Sequence, residues 1–230
     1  MQRPPFDPDA LRSGAAAALL DLSSPEALRE GVAWLRRARE MRVRPRIFVK
    51  PPPLAADAFF PLLDALLPTP PDGLLLAAAE SGSEAQRLSA RLAVFEAEAG
   101  LPDGATRILA EIATPAGVLS LARFGPRPPR LAGFLFAGTK LAERLDVAAD
   151  AAPVRQARAE IVLAAAACGV PALDDACSAP QALQAECLAA RRDGFLGKCA
   201  TRPEEIATIE AAFGGEDAEK SPQSAPYLRA

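Results

Sequence analysis

Asp174 and Asp175 follow the short apolar run Val170–Leu173. Carboxylates at the carboxyl end of a buried strand stand where β/α proteins do their chemistry, and the alternative for such a pair is a structural role at a helix start. Asp174 is therefore a candidate catalytic residue. Lys140 is a second candidate, because it comes just after the apolar run Ala132–Ala137. A lysine there forms a Schiff base when an apolar pocket lowers its pKa; the alternatives are an ion pair with Glu111 or Asp174, or plain exposure. Lys198 and Arg202 flank Thr201, a helix-capping residue type, and two cations at a helix start attract a carboxylate or phosphate. They are candidate substrate-binding residues. Glu80, Glu84 and Glu96 sit at or inside a helical stretch over 84–99 and are expected on its solvated face.

Metal and redox chemistry have little to work with. The chain contains no histidine, and its four cysteines, Cys168, Cys177, Cys187 and Cys199, form no C-x-x-C pair. Reduced thiols in helices and a strand are the expectation, rather than a metal cluster or a disulfide framework.

The elements that must position these residues alternate along the chain. Seven short apolar runs without polar alternation read as buried parallel strands: 17–22, 46–50, 74–78, 107–112, 132–137, 170–173 and 195–199. Between them lie helices with readable ends. Ser23 and Ser24 precede Pro25 and Glu26, a start signal. Ser83 is placed to cap the helix that Gly100 and Pro102 stop. Ser178 with Gln181, and Thr201 with Glu204, have capping-box spacing. Repeating β-then-α units predict an α/β fold, a TIM-like barrel before a doubly wound sheet, since no G-x-G-x-x-G opens a helix after the first strand. At 230 residues the chain suits one barrel domain over 11–213, with a flexible N-terminus (1–10) and a polar Pro/Gly-rich tail (214–230).

The wording of these segments resembles the HpcH/HpaI aldolase/citrate lyase beta-subunit-like family from about Ala10 to Phe213. Gly194, Phe195, Gly197, Lys198 and Pro203 match the family phrase GF-x-GK-x-x-I-H-P, with Arg202 in the histidine slot. Ile112, Thr114, Gly117 and Val118 match I-E-T-x-x-G-V. The resemblance implies a (β/α)8 barrel that uses Mg2+ as a Lewis acid to make or break a carbon–carbon bond, often in an acyl-CoA. It also implies where this chain departs. The slot of the metal glutamate is Ala113, and Glu111 precedes it with its side chain expected on the opposite strand face. The slot of the metal aspartate is Lys140. At 4 Å even unit like charges repel by about 4 kcal/mol at an effective dielectric of about 20, so an ammonium there opposes a dication. Phe48 takes an arginine slot, with Lys50 expected to face the other way. Ser23 and Ser24 take carboxylate slots, and Ala77-Ala78 replaces a P-K phrase.

These departures predict a degenerate lyase-family barrel that lacks the family's first strand and C-terminal lid. No cofactor is expected, Mg2+ included. It would act as a binding or assembly partner, in a homo-oligomer or with an active paralogue, with an acyl-CoA as a possible ligand. The alternative is a working carbon–carbon lyase on a small oxo- or hydroxy-acid or its CoA thioester. A formal charge of −3 with both signs interspersed argues against a nucleic-acid surface. No apolar run is long enough for a membrane span and no signal-peptide core opens the chain, so a cytoplasmic location is expected.

Overall fold

In the computed structural model, residues 15–125, 129–177 and 179–214 are described. The N-terminus expected to be flexible, 1–10, and all but Gly214 of the tail expected over 214–230 lie outside the described residues, as does the predicted cap Ser178. The elements run β1 (Ala17–Asp21), α1 (Pro25–Arg39), β2 (Arg46–Lys50), α2 (Phe59–Leu66), β3 (Gly73–Leu76), α3 (Gly82–Glu98), β4 (Arg107–Ile112) and α4 (Pro115–Leu119). They continue with β5 (Leu131–Phe136), α5 (Gly138–Leu145), α6 (Ala152–Cys168), β6 (Ala172–Asp174), α7 (Leu183–Arg192), β7 (Gly197–Lys198) and α8 (Ile206–Phe213).

All seven strands pair in parallel and in chain order, β1 to β7. Sequential parallel strands joined by helices wrap one way, because a right-twisted strand and a right-handed helix pack back on the sheet with a single hand. The result is a curled, TIM-like half-barrel with helices outside. Among the described residues β7 does not pair with β1, so the barrel stays open there. Leu19, on the inner face of β1, is consequently 46% exposed.

Two apolar layers explain why the strands carry no polar alternation. Ile47, Val49, Leu74, Leu76, Ile108, Ala110, Ile112, Phe134 and Phe136 pack outward against helical Leu35, Leu62, Leu88 and Ile161. Phe48, Leu75, Leu109, Ala132 and Leu135 pack inward on one another. Each fully buried leucine contributes about 1.5–3 kcal/mol. Alternation assigns a side in β2, β3 and β4, where even numbers in β2 and odd numbers in β3 and β4 face the barrel axis. A register shift against β4 lets Ala132 and Leu135 of β5 share the inner face despite opposite parity.

The helices follow the sequence with three differences, two at their starts and one in the direction a side chain faces. Ser24 accepts from the Ala27 N–H at 3.2 Å, with Pro25 beginning α1. Ser83 lies inside α3, and Ser81 takes the capping position, its hydroxyl 2.8 Å from that of Ser83. At the last helix the reaching carboxylate is Glu205, not Glu204; it accepts from the Thr201 and Arg202 N–H groups at 2.8 and 3.2 Å. Glu96 is the third. It lies on α3 but is 1% exposed and bonds Arg130 Nη1 at 2.5 Å, so it faces the protein rather than water.

Candidate functional site

The strand ends meet the βα loops at the mouth of the half-barrel, where alternation gathers a small set of charges. Leu109 faces the axis, so Glu111 does too. Glu111 and Ala113 are two residues apart, and both belong to that face, which corrects the expectation that Glu111 turns away. The same holds for Lys50, two residues from the inward Phe48. Lys50 meets Asp21, its register partner on β1, at 2.7 Å. The Asp21 carboxyl titrates below its usual range: burial alone would raise it, and the Lys50 and Ser23 hydrogen bonds outweigh that.

Lys140 does not stand on a strand end but in the first turn of α5, and its ammonium donates to Glu111 Oε1. The other oxygen of Glu111 accepts from the Ala78 N–H at 3.0 Å. Ala78 has φ of 48°, a left-handed conformation that costs an alanine about 1–2 kcal/mol. The buried carboxylate holds that turn in place. Asp175 Oδ2 accepts from the Thr139 N–H at 3.0 Å, placing a carboxylate at the positive start of α5. Cys199, packed beside the inner cluster, has its thiol pushed up to about 12 by burial and then by the Asp175 and Asp174 charges.

The other predicted residues lie elsewhere. Leu173 packs inward, so Asp174 points to the helix layer. There it is 3% exposed and bonds Arg158 of α6 and Lys198 Nζ, the latter at 2.9 Å. Lys198 also reaches Glu186 of α7 at 3.1 Å. Together they form a buried ion-pair network behind the sheet rather than a group of side chains at the mouth. Arg202 turns back on its own helix cap, its Nη2 at 2.5 Å from Glu205 Oε1. The structure therefore brings Glu111 and Lys140 together at the mouth and sets Asp174, Lys198 and Arg202 apart from them. Sequence reasoning missed Asp175 as the inward member of its pair, although the alternation rule applied to Leu173 assigns it.

The residues retained from the motif are those the backbone requires. Thr114 Oγ1 accepts from the Gly117 N–H at 2.9 Å and so caps α4. A Cβ on Gly117 would sit 2.5 Å from the Ala79 carbonyl, so only glycine fits. Phe48 packs on Gly73, where an added Cβ would meet its ring at 2.5 Å.

Do these residues fit Mg2+? They do not. The dication's place between two carboxylate slots holds the methyl of Ala113 and the ammonium of Lys140, and Lys140 already uses the nearest carboxylate. Among the described residues no three Asp, Glu, Cys or His side chains converge as a ligand set. The mouth carries Lys50 and Lys140 against Asp21, Glu111 and Asp175, a balance of two minus three, or −1. Among the described residues no helix is long and apolar enough to cross a membrane.

No protein-family model and no curated protein sequence matches the chain. Solved structures do. RipC from Yersinia pestis is 26% identical, with a TM-score of 0.73 over 90% of this chain and 93% of that one. The citrate lyase beta subunit of Mycobacterium tuberculosis is 23% identical, with a TM-score of 0.66 over 87% of each chain. CitE from the same organism, solved with magnesium, acetoacetate and coenzyme A, is 22% identical with a TM-score of 0.66, over 86% of this chain and 72% of that one.

Proposed function

On the premise that the chain is a citrate lyase beta-subunit-like member of the HpcH/HpaI aldolase family, we propose that it no longer performs the metal-dependent reaction and serves as a binding or assembly partner. The observation that carries this reading is the Lys140 ammonium resting on the Glu111 carboxylate. A lysine in that position supplies one fixed positive charge. It lacks the open coordination positions through which a dication polarises a substrate's oxygens and stabilises an enolate. With Phe48 filling the axis where the resemblance places an arginine, and a mouth balance of −1, stabilisation of developing negative charge falls away as well. The partner is a second copy of this chain or an active paralogue, and the open edges of β1 and β7 suit contact with another chain. Coenzyme A in the CitE structure makes an acyl-CoA the natural first ligand to test. We place the protein in the cytoplasm.

A test titrates Mg2+ and Mn2+ while following melting temperature and metal binding. A ligand specific for the folded state raises the melting temperature. The expected result is a flat response, with malyl-CoA and citryl-CoA turnover at background. Saturable metal binding, or turnover above background, overturns the reading. Identifying what co-elutes from the protein's own cells tests the partner.

One observation favours a second reading. The Lys140 side chain is 51% exposed at the mouth, open to a keto acid. Borohydride reduction in the presence of a 2-oxo acid would then trap an adduct on Lys140. Absence of mass gain ends that reading.

A further inference from the structure

On the face opposite the mouth, where helices lead back into strands, six arginines fall within eleven residues: Arg36, Arg37, Arg39, Arg42, Arg44 and Arg46. These are six of the 26 cationic side chains of the whole chain, so the stretch breaks the otherwise even interspersion of charge. Among the described residues Glu40 within the stretch and Asp72 beside it offer counter-charge to Arg36, Arg37, Arg39, Arg42 and Arg44, five minus two, or three positive charges. Arg44 forms a bidentate pair with Asp72 at 2.6 and 2.9 Å. Arg39 approaches the same carboxylate at 3.8 Å and donates to the Pro70 carbonyl. Arg36, Arg37 and Arg42 are exposed and make no ion pair among the described residues.

Basic residues in a last helical turn complement the helix dipole, and that explains Arg36, Arg37 and Arg39. It does not explain Arg42 and Arg44, which lie past the helix end, nor three guanidiniums left without carboxylates. A shallow, solvent-open groove of ≈ 440 Å3 lies at this spot. Arg36, Arg39 and Glu40 line one side, while Pro68, Pro70 and Leu101 from the next two loops line the other. The volume lies within the range of small-molecule sites, and its walls pair charged forks with an apolar surface. Guanidiniums match phosphate oxygens bidentately. Burial, and to a lesser degree the Arg44 charge, hold Arg39 below its usual pKa against the raising effect of Asp72.

We propose that this face binds a small phosphorylated ligand with an apolar body, of the nucleoside-diphosphate class. Its phosphates lie on Arg36 and Arg39, and its ring lies against Pro68, Pro70 and Leu101. Glu40 accepts from an amino or hydroxyl group of the ligand.

Calorimetric titration of the full chain with ADP and with inorganic pyrophosphate tests this. Saturable ADP binding is expected, tighter than that of pyrophosphate, weakening as salt rises and at least tenfold weaker in Arg36→Glu. Arg36 is exposed and makes no ion pair among the described residues, so the variant's fold is expected to stay unchanged by circular dichroism; Arg36→Ala repeats the test without charge reversal. No saturable ADP binding overturns the proposal. So does equal affinity for pyrophosphate, which removes the apolar wall, or an ADP response that survives Arg36→Glu and vanishes in Lys140→Ala, which moves the ligand to the mouth.

Discussion

Lys140 and Glu111, 29 residues apart, form an ion pair at the mouth of the half-barrel, with one partner half-exposed and the other 6% exposed. The pair stands where the family resemblance places a metal between two carboxylates. Restoring those carboxylates with Ala113→Glu and Lys140→Asp together is expected to create Mg2+ affinity. Binding at 100 times the dissociation constant adds about 2.7 kcal/mol to stability. Differential scanning calorimetry should show a Mg2+-dependent rise for the double variant and none for the parent. A flat response in both would mean that the supporting groups around the slots have been lost too.

Removing either member alone should cost stability unequally. Lys140→Ala leaves Glu111 bonded to the Ala78 N–H, and water reaches the exposed end of the site, so about 1 kcal/mol is expected. Glu111→Ala also releases the left-handed turn at Ala78 and leaves its N–H without the carboxylate, for about 2 kcal/mol. Urea denaturation of both variants orders the two effects. The reverse order would contradict the bracing role assigned to Glu111.

Asp174→Asn tests whether the Arg158–Asp174–Lys198–Glu186 network is structural. It leaves Lys198, 3% exposed, with Glu186 alone, and breaking a buried pair costs about 3–5 kcal/mol. Burial by itself would lower the Lys198 pKa, but Asp174 and Glu186 outweigh it and raise it above 10.5. A raised folded-state pKa gives stability that is complete below the unfolded value and is lost as pH rises through the folded one. The parent should therefore lose this increment above about pH 10.5, and Asp174→Asn should show a shallower alkaline loss.

Arg130 and Glu96 supply the acid counterpart. Burial alone would raise the Glu96 pKa, yet Arg130 and the N–H groups of Thr106 and Gly104 hold it below 4.5. Its stabilisation is present above about pH 4.5 and fades as pH falls through the depressed folded value. Arg130→Ala is expected to lose about 3–5 kcal/mol at neutral pH, since it leaves a carboxylate that is 1% exposed without its cation. Its stability should also fall less between pH 5 and 3 than that of the parent.

Burial also governs the thiols. It raises Cys177, Cys187 and Cys199, the last to about 12, and Cys168 lies buried with its Sγ on the Gly125 carbonyl at 3.1 Å. Because the thiolate is the reactive form, iodoacetamide at pH 8 should label the native protein slowly and all four cysteines at once after unfolding. Fast labelling of Cys199 in the native state would show that the mouth opens more than the packing implies.

The sequence by itself determined the strands and their order. Short apolar runs cannot face water on either side, so they must be a sheet covered by helices, and the observed Arg46–Lys50 and Arg107–Ile112 coincide with the predicted limits. It also determined which residues occupy the motif slots, because Ala113 and Lys140 are read directly. What only the tertiary structure decided is where each charge goes. Glu96 looks like a surface residue on α3 until Arg130, 34 residues away, is folded against it. Asp174 and Asp175 are neighbours in the chain yet serve opposite faces of the sheet, one held by Arg158 and Lys198, the other by the start of α5. Ion pairs depend on distances of a few ångströms between residues remote in sequence. Those distances are set by how the layers pack, whereas burial of apolar runs is set by composition along a few consecutive residues.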